Sequence, residues 1–507
     1  AATKLEGSYQ LMLDIRKNQR VFPWDFESNN NDNYNGAELR LFTQPRPNTE
    51  AFLKIEADWR SPENSSPRPE FQFKEAHLQY QWTGFNRGVK AMLFSRQDRF
   101  WVDNFVVRVV EGNNLRNDRF GPNAQGIRVD TWGHLGMSAA FVMSDFSDQA
   151  NPQNTGAYAG PRGTDDVFIA RARREFFKNA LRTGFTFARK QENELGEIAQ
   201  KVDRRADVLA VDTRVSVRGV DIAVEYIESR SPASAVGVAN PTGLDRELSL
   251  FRRGLGFQLP DRSVLVAEIR SLRLGTPKTG FLTVTPVWWS RGALYDNRVG
   301  DSQSQQTWWL QKNDETGFKI DSYYLLPERA ITYTNSWKRF GRRVYELRDD
   351  WELYNELYIE FVNGFTGKTY LRHYHIDRTT DGVRRPEEYR DWFGEVQVES
   401  KLAWLRFQTK FKDIGLPFAK QLYSVETRVN LSDKVKLYNR YTFGNDASIL
   451  RKGIFSELQY RPGGNVEMFL QYGPSWIGDD ATPVNDGDLA GGGDQVDIVK
   501  FILKGWF

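Results

Sequence analysis

The stretch VDIVKFILKGWF, Val496 to Phe507, decides the fold class. Val499, Phe501, Leu503, Gly505 and Phe507 fall on one side of an extended chain; Lys500, Ile502, Lys504 and Trp506 fall on the other. Successive residues of a β-strand point to opposite faces, so a period of two describes a strand with one apolar and one mostly polar face. The pattern recurs along the chain. In AFLKIEADW, Ala51, Leu53, Ile55, Ala57 and Trp59 oppose Phe52, Lys54, Glu56 and Asp58. In VLAVDTRVSVR, Leu209, Val211, Thr213, Val215 and Val217 oppose Asp212, Arg214, Ser216 and Arg218. WELYNELYIEF, EVQVESK and LRFQTKFK repeat the arrangement. These segments run for roughly 9–13 residues, the length of a tilted membrane strand, where soluble strands average about 5–6.

Composition narrows the field. The chain has 507 residues, no cysteine, 69 Lys and Arg against 66 Asp and Glu, and a net charge of +3. Without cysteine there is no disulfide and no thiolate metal site. The balanced charge argues against nucleic acid as a partner. No apolar run approaches the ~18 residues of a membrane helix. The mean hydropathy of −0.59 hides a 14% aromatic content, with 15 Trp, 20 Tyr and 34 Phe. The opening AATKLEGSYQLMLDI passes straight into alternation and reads as a mature end left by cleavage after a small residue.

The connections carry a second signal. Tight turns at Lys178-Asn179, Arg218-Gly219 and Pro260-Asp261-Arg262 alternate with long polar gaps at residues 191–205 and 231–245. Segments 44–49, 83–88, 363–367 and 461–464 belong to the short class; 27–36, 111–126, 147–165 and 473–495 belong to the long class. Outer-membrane barrels have short periplasmic turns and long extracellular loops. The expected fold is therefore an all-β, antiparallel transmembrane barrel in one domain, residues 1–507. Walking the parity gives 26 strands, within a range of 22–26. Trp59, Trp82, Trp132, Trp337, Trp351, Trp392 and Trp506 lie near expected strand ends. An indole prefers the bilayer interface, so these are the candidate girdle residues.

The chain as a whole resembles a Gram-negative outer-membrane porin-type barrel. A final strand with Phe501, Leu503 and Phe507 on its apolar face resembles the signal by which such barrels are recognised for assembly. TDDVFIARARREFFKNALRTGFTFARK and ADVLAVDTRVSVRGVDIAVEYIES are similar to the barrel part of an uncharacterised envelope family, where the barrel follows a carbohydrate-binding module. That family implies no catalytic residue. The architecture also resembles the alginate exporters, with an Arg-rich lumen, and the wide barrels that sheath multihaem cytochromes. The resemblance implies the outer membrane of a Gram-negative bacterium, with its lipids as partners.

Polar faces would then line the interior. Arg171, Arg173, Arg182 and Arg214 fall on three successive expected strands as a basic patch for anionic solutes or a uronate-type polysaccharide. Glu352, Glu356 and Glu360 form an acidic trio, and Arg406 and Lys410 add to the selectivity candidates. Cross-strand ion pairing that stiffens the wall is the plainer role for the same residues. A lumen this wide needs filling, by loops, a periplasmic or lumen-filling partner protein, or a polymer in transit. WVDNFVVRVVEG (101–112) is apolar enough to fold inward or to form a short extra strand.

Other chemistry is thin. His373 and His375 share a strand face and read as a polar lumen pair, with no metal site expected. No nucleophile elbow, His-Glu-x-x-His or phosphate loop occurs, and no enzyme is expected. No cofactor is implied beyond calcium, for which GDDATPVNDGDLAGGGDQVD (478–497) offers oxygen ligands. The leading expectation is a channel for a large or charged solute, such as a secreted polysaccharide. The alternative is a structural barrel sheathing a cytochrome or lipoprotein.

Overall fold

The computed structural model describes residues 2–16, 25–27, 36–58, 70–95, 125–147, 164–192, 204–230, 263–270, 272–292, 315–326, 330–342, 347–380, 383–417, 419–446, 449–473 and 498–507. Among these residues there is no helix. The strands are β1 (Ala2–Arg16), β2 (Asp25–Glu27), β3 (Gly36–Arg46), β4 (Thr49–Asp58), β5 (Glu70–Gly84), β6 (Arg87–Ser95), β7 (Gln125–His134), β8 (Met137–Ser147) and β9 (Thr164–Phe176). Next come β10 (Leu181–Glu192), β11 (Arg204–Val217), β12 (Val220–Arg230), β13 (Ser263–Ile269), β14 (Leu272–Thr276), β15 (Gly280–Arg291), β16 (Thr316–Leu326), β17 (Ile331–Arg342) and β18 (Leu347–Val362). The rest are β19 (Phe365–Thr380), β20 (Val383–Glu399), β21 (Ala403–Lys412), β22 (Lys420–Ser432), β23 (Val435–Asp446), β24 (Ile449–Gly463), β25 (Val466–Tyr472) and β26 (Ile498–Trp506).

Every pairing is antiparallel, and β1 pairs with β26 from Ser8↔Trp506 to Arg16↔Ile498, which closes the sheet. β2 and β3 lie end to end along the same side of β1. β13 and β14 likewise share one side of β15. The wall therefore has 24 strand positions, two fewer than the 26 of the parity count. The tight turn expected at Pro260-Asp261-Arg262 lies outside the described residues. β12 pairs directly with β13, so no described strand stands between them, where the parity count placed one.

Short turns gather at one rim. At Arg218 (φ 50°) and Gly219 (φ 83°) both central residues are left-handed, as a two-residue hairpin matched to strand twist requires. At the other rim the long connections are confined to part of the circumference. β17–β18, β19–β20 and β23–β24 are joined there by residues 343–346, 381–382 and 447–448 alone.

Burial alternates along the strands. On β12, Asp221, Ala223, Glu225, Ile227 and Ser229 are buried, while Ile222 and Val224 are exposed. The exposed face carries large apolar side chains around most of the wall, among them Leu39, Leu78, Leu93, Phe141, Phe185, Val211, Leu405 and Leu470. That face is the outside of the closed sheet; most charges and ion pairs occupy the inside, with an exception on β17–β20.

Candidate functional site

The site is the inner wall, and its chemistry changes around the circumference. Over β9–β12 the four arginines named from sequence share the inner face. The register aligns Arg173 with Gly184 and Gly184 with Asp212, and Arg182 with both Glu175 and Arg214. Arg171 donates to Asp212 at 2.7 and 3.1 Å and to Thr186 at 2.7 Å. Both charged residues are buried, at 5% and 1% exposure. Arg182 bonds Glu175 at 2.8 Å. Arg214 clamps Asp221 through both nitrogens, with Nε at 2.7 Å, and Ser216 donates to the same carboxylate at 2.9 Å. The structure thus brings the four arginines together and threads carboxylates between them.

The inner face of β18–β20 is acid-rich. Asp350, Glu352, Glu356, Glu360, Glu387, Asp391, Glu395 and Glu399 point in, against Lys368 and Arg372 among the described side chains. Glu352 takes Lys338 at 2.7 Å and Arg372 at 2.8 Å. Glu356 takes Lys368 at 3.0 Å and the Tyr354 hydroxyl at 2.5 Å. Rings stack between these charges: Tyr370 on Phe393 at 5.0 Å and Tyr374 on Tyr389 at 4.7 Å.

From β21 to β26 the inner face is base-rich. Among the described side chains, Arg406, Lys410, Lys412, Lys420, Arg428, Lys436, Arg440, Arg461, Lys500 and Lys504 share it with Glu426, Glu457 and Glu467. Arg406 holds Glu426 bidentately at 2.8 and 3.0 Å. The cations lie over rings: Arg406 and Arg428 over Trp404 at 4.8 and 5.5 Å, and Arg440 over Phe455 at 5.9 Å. Stacking of a guanidinium on a ring face is favourable and leaves its N–H fork directed outward along the plane.

Sequence reasoning missed an apolar band on this wall. Met92, Phe94, Val142, Val167, Ile169, Ala188, Val208, Ile227, Val264, Val266, Val287 and Trp289 form one buried cluster, close to the rim that carries the long connections. Trp289 donates from Nε1 to buried Glu315 at 2.9 Å. The signal was available: VFIA and VLAV are apolar on both faces, where a strict polar-in pattern would alternate.

The tryptophans divide. Trp82, Trp337, Trp351 and Trp392 are on the outer face, where Trp337 packs edge-on to Phe318 at 4.7 Å and Trp392 stacks with Phe411 at 5.4 Å. Trp132 and Trp506 are on the inner face, against the girdle expectation. Trp132 pairs with Gly88 beside inward Arg128 and Asp130, and Trp506 shares parity with Lys500 and Lys504. An end position does not fix the face; register does. Trp59 lies outside the described residues, as do the calcium-loop candidate (478–497) and the 101–112 run. Phe501, Leu503 and Phe507 share the outer face of the closing strand. His373 and His375 are not a lumen pair. They lie on the outer face, 4.7 and 5.8 Å from Trp351, because they share parity with Leu353 and Trp351.

No protein-family model matches the chain, and no curated protein matches it in sequence. Among solved structures it is similar to the P pilus usher (PapC) translocation pore, at 7% identity and TM-score 0.43 over 99% of both chains. The siderophore receptor PirA from Acinetobacter baumannii aligns at 8% identity and TM-score 0.42, over 99% of this chain and 80% of the receptor. The ferric enterobactin receptor PfeA from Pseudomonas aeruginosa aligns at 10% identity and TM-score 0.43, over 100% and 82%. At these values the weight falls on the wall itself.

Proposed function

We propose that the protein is an outer-membrane conduit for a large, charged solute, and that an anionic polysaccharide is its cargo. The observation that carries this is the division of the wall into an apolar outer face and a charged inner one. In hydrocarbon every backbone amide must be paired within the protein, and a closed sheet leaves no edge. An outer ring such as Trp351 suits the interface of a bilayer. A circular wall of this strand number, at the usual spacing and a tilt of ~40°, is about 48 Å across between opposing backbones. That width suits a polymer better than a metabolite. The base-rich face of β21–β26 supplies fork-shaped donors for carboxylates, and the acid-rich face of β18–β20 beside it repels them, so an anionic chain is guided along one side.

The test is conductance of the purified protein in a planar bilayer under a salt gradient. A large conductance with anion-biased reversal supports the proposal. A large conductance without bias favours a sheath stripped of its protein partner. No conductance removes the open-conduit reading.

A further inference from the structure

The outer face is not uniformly apolar. On β9–β12 it presents Phe168, Ala170, Ala172, Phe185, Phe187, Leu209, Val211, Ile222 and Val224. On β17–β20 it presents amides, imidazoles and charges. Asn335 and Asn355 face each other across β17 and β18. The Asn355 carbonyl accepts from Asn335 at 2.8 Å and from the Tyr333 hydroxyl at 2.6 Å. Beyond a 3.4 Å approach of Asn335 to a backbone carbonyl, nothing else reaches these amides among the described residues. The Asn355 amino group and the Asn335 carbonyl are left over.

Depth makes this consequential. Trp351 and Phe361 are outward aromatic residues of β18, ten residues or about 34 Å apart along the strand. At a tilt of ~40° that is about 26 Å along the membrane normal, the height of the apolar band of such barrels. Asn355 lies between them. His373 pairs with Leu353 in the register, two residues inside Trp351. Its Nε2 and the Nδ1 of His375 are buried without a hydrogen bond, the nearest carboxylate being Glu388 at 3.7 and 3.9 Å. Lipid tails offer no partner to the leftover amide groups.

We infer that the outer face of β17–β20 packs against a second copy of this chain, related by a two-fold axis. A two-fold interface must complement itself, with the same patch on both sides. Leftover amide donor and leftover amide acceptor are complementary in that sense, and asparagine hydrogen-bonds across interfaces within membranes. Nearer the rim the patch carries both signs, Arg390 beside Glu388 at 3.3 Å and Arg339 clamping Asp349 at 3.0 and 2.6 Å. A two-fold axis that runs between the two signs sets each opposite its complement. The inference rests on the bilayer facing the outer wall, though not on the identity of the cargo.

Because the chain has no cysteine, a single one is the sole thiol. N355C, in membranes treated with a mild oxidant, is expected to cross-link to twice 58.6 kDa, while V224C on β12 stays monomeric. Native mass spectrometry of the unmodified protein from detergent is expected to show the dimer. N335L/N355L is expected to shift it to monomer while remaining heat-modifiable on gels, the mark of a folded barrel. A monomeric unmodified protein, equal cross-linking by V224C and N355C, or a folded N335L/N355L that stays dimeric would each overturn the inference. Protein that never extracts with membranes would instead remove the conduit reading beneath it.

Discussion

Arg171 reaches Asp212 across the bare α-carbon of Gly184. The two charged residues sit on β9 and β11, and β10 runs between them. A side chain at position 184 would put its first carbon 2.5 Å from the Asp212 carboxylate and 2.9 Å from the Arg171 guanidinium. The pair therefore depends on a residue that contributes no atom to it.

Removing one partner leaves the other charge buried. Arg171→Ala is expected to lower stability by about 3–5 kcal/mol, the usual cost of breaking a buried pair from one side. Gly184→Ala, which forces the pair apart, is expected to cost about 1–3 kcal/mol. Urea unfolding in detergent, followed by tryptophan fluorescence, measures both. A Gly184→Ala protein with an unchanged midpoint would show that the pair does not need the gap.

The closing seam uses two further glycines. Gly7 and Phe507 exchange backbone hydrogen bonds at 3.0 and 2.9 Å, and the Phe507 ring covers Gly7. The Tyr9 ring covers Gly505 in return; a Cβ there would lie 2.1 Å from the ring. Gly7→Val and Gly505→Val are each expected to cut the yield of heat-modifiable folded protein several-fold. Gly453→Ala, whose added carbon meets nothing within 4 Å, is expected to fold as well as the parent. Semi-native gel electrophoresis after refolding gives the comparison.

Lumen charge is testable without altering the fold. Arg428 is exposed and stacks on Trp404, and Lys436 lies on the next strand of the same face. Arg428→Gln with Lys436→Gln is expected to shift the reversal potential toward cations, with conductance nearly unchanged. Arg182→Gln with Arg214→Gln on the carboxylate-threaded side, also a loss of two cations, is expected to shift it less, because Glu175 and Asp221 already compensate those charges. Equal shifts from the two sides would mean that the field is set elsewhere.

Strand existence and closure were legible because a two-residue period with one apolar face survives in single segments such as AFLKIEADW. Facing was less legible. Trp132 and Trp506 looked like girdle residues from position alone, yet their parity with Asp130 and Lys504 sends them inward. The same parity, applied to Trp351 and His375, sends the histidines outward. The parity count of 26 exceeded the 24 positions, which lie within the expected 22–26, where β12 pairs directly with β13 and no described strand stands between them. The apolar inner band escaped because alternation assigns every apolar residue to the outside, while Val167 and Ile169 share their face with Arg171.

That band gives the last prediction. Trp289 is fully buried and donates to Glu315, which is itself buried. Trp289→Phe keeps most of the ring and removes one bond to a carboxylate, for an expected loss of about 1.5–3 kcal/mol. Ile169→Ala removes only hydrocarbon from the same cluster and is expected to cost about 2–5 kcal/mol through the cavity it leaves. If the band were merely wetted lining, Ile169→Ala would be nearly neutral while Trp289→Phe would not. Equilibrium unfolding of the two variants side by side separates a packed inner core from a lumen surface.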